Sequence, residues 1–165
     1  MAKPVASSLV IERTYTAGVD ELWALWTTKK GFESWWGPEE FRVEVHLIEP
    51  CPGGALHYDM VADTPAAVAA MEGMGAPTRQ PCRGTFSEYL LHERLTLTQV
   101  IDFLPGVAPY DSTIQVDFLA TGTGQTRMVI TLSRMHDEPT TGMQRDGFLS
   151  QLSKLDTRYD WRPLA

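Results

Sequence analysis

With 165 residues, 43% of them hydrophobic and 21% charged, the chain has the composition of one globular domain and not of a disordered segment. A net charge of −7 without any Lys/Arg run argues against nucleic acid as a partner and disfavours anionic membrane surfaces. No apolar run approaches the ~20 residues of a membrane span. Met1 to Ser8 lack the apolar core of an export signal, so the expected location is cytoplasmic. The only two cysteines, Cys51 and Cys82, fall at opposite ends of an antiparallel strand pair, roughly 30 Å apart at ~3.4 Å per residue. They are expected to be free thiols, since a disulfide needs Cα atoms within ~7 Å.

Leu9 to Thr16 alternates apolar and polar residues and reads as a first strand. Ala17-Gly18 breaks it. Val19, Leu22, Trp23 and Trp26 recur at helical spacing, Gly31 interrupts, and Phe32 to Trp36 reads as a second short helix before Gly37-Pro38. From Phe41 the period switches to two, with Phe41, Val43, Val45 and Leu47 on one face. Glu49 to Gly54 is a turn by composition. Leu56, Tyr58 and Met60 then share a face opposite His57 and Asp59. Residues 63–81, rich in Ala, Pro, Gly and Met, read as an inserted loop with one helical turn around Ala66 to Met71. Loops of this length often serve as lids.

Strands resume at Cys82–Leu90, Leu95–Phe103, Thr113–Ala120 and Thr126–Arg134, the last two joined by a Gly122-Thr123-Gly124 turn. Alternation in strand after strand describes an antiparallel sheet with one face covered. Phe148, Leu152, Leu155 and Tyr159 form the apolar stripe of a closing helix that begins near Pro139 and ends before Pro163. The expected fold class is α+β, one domain over 1–165 with a core of 9–160.

The order of strand, two short helices, six-stranded meander and long helix resembles the helix-grip fold of the START-like (SRPBCC, Bet v allergen-like) superfamily. Within it, the chain is similar to the branch named after the heat-shock-protein-90 ATPase activator. The likeness rests on Arg13-Thr14-Tyr15 with Ala17, Leu22-Trp23, Trp26-Thr27 and Trp35-Trp36-Gly37-Pro38. It continues through Gly53-Gly54, Gly84 to Glu88, Glu93-Arg94-Leu95, Gly124 to Leu132, and Gly147-Phe148 with Leu152 and Leu155. The chain departs from that pattern at 63–81, where a short turn is usual. The resemblance implies a curved sheet of about six to seven strands wrapped around the C-terminal helix, with a cavity between them.

Candidate cavity-lining residues are Leu56, Tyr58, Met60, Phe86, Ile101 and Phe103 from the sheet. Phe148 and Leu152 join them from the helix, with Trp36 near the mouth. The same residues also read as plain core. The expected occupant is a small apolar molecule, with Met71 and Met74 of the inserted loop as candidate lid residues. Arg13 shares parity with Tyr15 and needs an interior acceptor, for which Glu88, on the parity of Phe86, is the candidate. If the cavity is catalytic, as in a cyclase, aromatase or hydrolase, Tyr58, Glu88 or Arg13 are its acid/base candidates. His46, His57, His92 and His136 lack metal-ligand spacing, so no metal or cofactor is expected. An exposed sheet edge allows a homodimer. A chaperone partner ranks last, since the short chain has no extra segment to bind one.

Overall fold

The computed structural model describes residues 8–163. Strand β1 (Leu9–Tyr15) leads into helices α1 (Val19–Thr27) and α2 (Lys29–Glu33). Strands β2 (Phe41–Ile48) and β3 (Ala55–Ala62) follow, then helix α3 (Pro65–Gly73). Strands β4 (Arg79–Leu90), β5 (Arg94–Ile101), β6 (Tyr110–Gly122) and β7 (Gln125–Leu132) precede the long helix α4 (Glu138–Arg158). The seven strands form one antiparallel sheet in the order β1-β7-β6-β5-β4-β3-β2. This is the α+β helix-grip architecture expected from the alternation and the closing stripe. Phe148, Leu152 and Leu155 of α4 join the same core as the inner face of the sheet.

Two single-residue bulges change which side chains face that core. A bulge between Phe86 and Glu88 inverts the parity of β4 beyond it. Tyr89 therefore turns inward against Phe86 and Trp23, and Glu88 turns outward to accept from Thr96 Oγ1 at 3.0 Å. A second bulge, between Val45 and Leu47, moves Leu47 to the exposed face and Ile48 against the core. The expected inward positions of Glu88 and Leu47 are thus corrected.

Gly31 does not interrupt the helical pair. It lies inside α2, where a Cβ would sit 2.2 Å from the Ala24 carbonyl oxygen, so it permits the close crossing of α1 and α2. The second helix accordingly starts earlier than expected and ends at Glu33.

The expected loop over 63–81 is also corrected. Thr64 caps α3 by accepting from the Ala67 N–H, Pro65 occupies the first turn, and β4 is already formed at Arg79. Met71 is half-buried and Met74 exposed. Neither lines the cavity described below, and the segment is a helical connection between β3 and β4.

On the outer face, Arg79 bonds Glu44 at 2.7 Å and Asp59 at 2.8 Å, while Arg42 reaches Glu44 and Asp63. These bonds, first from Arg79 and then from Arg42, hold the Glu44 carboxyl down to about 2. A carboxylate depressed by folding contributes its stability above its ordinary value of 4.5 and loses it as pH falls toward about 2. Arg79→Ala is therefore expected to narrow the stability difference between neutral and acidic pH. Urea unfolding at about pH 6 and pH 3 measures this; the same difference in both proteins would show that these bonds do not contribute.

Candidate functional site

The hydrogen-bond pairing of β4 with β5 runs only from Leu90↔Arg94 to Gly84↔Gln99. Beyond Gly84, β4 continues back to Arg79 paired with β3 alone, while β5 continues to Ile101 paired with β6 alone. The sheet therefore splits, and the two halves part beneath the N-terminal half of α4. A cavity of about 210 Å³ occupies that split.

Trp36, Tyr58, Met60, Ile101, Phe103 and Phe148 line the cavity. Phe103 stands at its mouth, 41% exposed. Leu56, Phe86 and Leu152 do not line it and are fully buried core. Their placement follows from the split: Leu56 is paired with Gly84 and Phe86 with Leu97, on the side where β4 and β5 are still zipped together. There the sheet leaves no space for α4 to cover.

The inner wall is held by a buried polar chain. Tyr58 Oη accepts from Trp36 Nε1 at 3.1 Å and from Gln99 Nε2 at 2.6 Å. Trp36 is itself fixed by stacking on Phe32 with centroids 4.5 Å apart, and by edge contacts with Trp26, Trp35 and Phe148. Burial raises the Tyr58 phenol well above its ordinary range. Cys82, opposite Tyr58 in the β3–β4 register, is pushed up to about 11, mainly by burial. Both groups are therefore neutral at physiological pH, and neither is a poised base or nucleophile. Both cysteines are free thiols.

Several lining residues are polar or small and lie on α4: Gln144, Gly147 and Gln151. With Phe148 they occupy one face at spacings of three and four. A purely apolar stripe passes over them. The signal that identifies them is a glutamine repeated seven residues on, beside Phe148. Arg83 and Cys82 of β4 also line the cavity, and Arg83 bonds Asp102 across the split at 2.8 Å. A second hollow, of about 360 Å³, shares Tyr58, Cys82, Arg83 and Phe103 with the first and reaches His57 and Asp59 on the outer face.

The way α4 is fastened matters for access. Beyond the segment just preceding it, its side-chain hydrogen bonds to the rest of the described residues begin at Ser150. Ser150 Oγ accepts from Glu39 N–H, Gln151 Oε1 from Gly37 N–H, and Lys154 Nζ donates to the Phe41 carbonyl. Asp156 accepts from Arg13 at 3.0 Å and from Tyr15 at 2.6 Å. Of the α4 residues that cover the cavity, Gln151 alone makes such a bond, and Phe148 is held by its aromatic contacts.

Arg13 thus finds its acceptor in Asp156, not in Glu88, and its guanidinium lies 3.9 Å from the Trp161 ring centroid. The expected Arg13–Glu88 pair is corrected: the bulge sends Glu88 to the outer face, toward Arg94 and Thr96. Of the three acid/base candidates, only Tyr58 lines the cavity. Among the described residues no cluster of three or more His, Cys, Asp or Glu side chains is arranged to hold a metal ion, and no helix is long and apolar enough to cross a membrane.

Comparison with known proteins places this geometry in a family. The family model described as activator of Hsp90 ATPase homolog 1-like protein matches residues 16–159. No curated protein matches the chain in sequence at a significant level. Solved structures share the fold at low identity. A protein from Arthrobacter aurescens superposes with a TM-score of 0.72 at 20% identity, covering 94% of this chain and 87% of the other. A Chromobacterium violaceum protein gives 0.70 at 16% identity, covering 93% and 96%. The AHSA1 protein of Silicibacter pomeroyi gives 0.70 at 17% identity, covering 92% and 96%. By its sequence match and its helix-grip fold, the chain belongs to the activator of Hsp90 ATPase homolog 1-like family of the START-like superfamily.

Proposed function

We propose that the protein binds a small, mostly apolar molecule in the cavity between the split sheet and α4. The observation that carries this reading is the space itself. Aromatic and aliphatic side chains from both halves of the sheet and from α4 surround about 210 Å³ that they do not fill. Among the described residues the only charged lining group, Arg83, is paired with Asp102.

Burial supplies the affinity. Removing about 200 Å² of apolar ligand surface from water at ~25 cal/mol per Å² contributes about 5 kcal/mol. Association costs of about 4 kcal/mol or more offset most of that, so a small probe binds weakly. Turnover in the same cavity would require an acid or base there. The phenol of Tyr58, held neutral by burial, is no base, and its Oη already takes two hydrogen bonds. The family's name refers to a chaperone ATPase, but for this chain the cavity, more than any docking face, carries the reading.

Ethylbenzene, a neutral ring small enough for the space, is expected to bind saturably by isothermal titration. Gly147→Leu is expected to abolish that binding by filling the cavity. Gly147 lines the cavity from within α4, where an added Cβ meets only Pro38 at 3.8 Å. Leucine also favours a helix over glycine by roughly 0.8 kcal/mol, so the variant should be at least as stable as the parent. Equal ethylbenzene affinity in the folded variant would refute the assignment of the site.

A further inference from the structure

We infer that Gln151 is the polar anchor of this cavity, and that its ligand is a neutral molecule with a carbonyl-type acceptor on an apolar body. The inference rests on the cavity being a binding site and names what the site selects. Gln151 is 4% exposed and lines the cavity from α4. Its Oε1 accepts from the Gly37 N–H at 2.9 Å, which fixes the orientation of the amide, because a flipped amide would set two donors against each other. The remaining end, Nε2, is a buried donor with no hydrogen-bond partner.

Buried donors without partners are few in folded proteins, because each forfeits its hydration. The neighbouring polar groups do not supply the missing acceptor: Gln144 Oε1, seven residues earlier on the same wall, is itself buried without a partner and makes no bond to Gln151 Nε2. Tyr58 Oη already takes two hydrogen bonds, from Trp36 and Gln99. The acceptor comes instead from an occupant of the cavity. That occupant is uncharged, since Arg83 is engaged with Asp102 and a carboxylate would enter without a counter-charge. It is also small: the cavity has the volume of about seven waters at ~30 Å³ each. Ketones, esters, lactones and amides of one-ring size meet these requirements.

Acetophenone, ethylbenzene and benzoate separate these requirements, because they share a ring and differ in the group beside it. Titrations of the full chain and of Gln151→Met read the acetophenone-to-ethylbenzene affinity ratio in each. This ratio is expected to fall about tenfold in Gln151→Met, or 1.4 kcal/mol. Gln151→Glu keeps an oxygen for the Gly37 N–H and replaces the donor with an acceptor, so it should show at least the same fall. A readout that needs no variant is the Gln151 side-chain amide resonance, which should shift with acetophenone and not with ethylbenzene. An unchanged ratio, with that resonance indifferent to acetophenone, would overturn the anchor and leave the cavity as a binding site. Benzoate binding tighter than acetophenone would overturn the neutral class. Failure of all three probes to bind would remove the binding reading and the anchor together.

Discussion

Trp36→Ala is expected to destabilise the protein by about 3–5 kcal/mol, the range for removing a large buried aromatic side chain. Trp36 is 3% exposed and lies where α2, β3 and α4 meet. The substitution removes the stack on Phe32 and the edge contacts to Trp26, Trp35 and Phe148. It also deprives Tyr58 Oη of the Trp36 Nε1 donor, leaving only Gln99. Against a typical domain stability of about 5–15 kcal/mol, this is a large fraction. Trp36→Phe keeps a ring for the aromatic contacts and loses the N–H, so its cost should be closer to 1 kcal/mol. Urea unfolding of the two variants separates the contributions. Near-equal losses would mean that the hydrogen bond to Tyr58, and not packing, dominates at this position.

The second large effect is expected at Gly54. A Cβ there would sit 1.9 Å from the Glu49 carbonyl oxygen and 3.0 Å from that of Cys51, both backbone atoms that cannot rotate away. The turn must therefore open. That turn joins β2 to β3 through Glu49 N–H to Ala55 O, and it holds β4 through Phe86 N–H to Gly54 O and Gly53 N–H to Phe86 O. Phe86 is fully buried, so displacement at this point reaches the core directly. Gly54→Ala should cost on the order of 3–5 kcal/mol or prevent folding. Its neighbour Gly53 has φ +75°, and a Cβ added there would meet no atom within 4 Å. Gly53→Ala should therefore cost only the ~1–2 kcal/mol of a left-handed alanine. Comparing the unfolding midpoints of the two alanine variants tests this. Equal losses would contradict the steric account.

The fold is largely legible in the sequence because each strand carries its period and α4 carries its stripe. What the sequence hides has specific physical causes. A single extra residue at Ser87 or His46 inverts a strand's parity without altering its composition, so simple alternation puts Glu88 and Leu47 on the wrong face. The helix at Pro65–Gly73 is announced by Thr64-Pro65, a cap followed by a first-turn proline, but the surrounding Ala, Gly and Met point to a loop.

The site is legible in part for similar reasons. Tyr58, Met60, Ile101 and Phe148 follow from the inward faces of sheet and helix. Alternation does not reveal where two paired strands separate, and that separation decides which inward residues line space and which, like Leu56 and Phe86, are packed solid. Apolar stripes pass over Gln144 and Gln151 because they are polar, though these buried amides set the cavity wall apart from plain core.

Occupancy of the cavity is read most directly from the tryptophan indole N–H resonances of the 165-residue chain during titration with ethylbenzene. The chain has five tryptophans, Trp23, Trp26, Trp35, Trp36 and Trp161, and Trp36 alone among them lines the cavity. Binding in the cavity should give a saturable shift of the Trp36 resonance, accompanied by the methyl groups of Met60 and Ile101, while Trp23 and Trp161 stay fixed. Saturable shifts centred on Trp23 or Trp161, or an unmoved Trp36 at saturating probe, would contradict it.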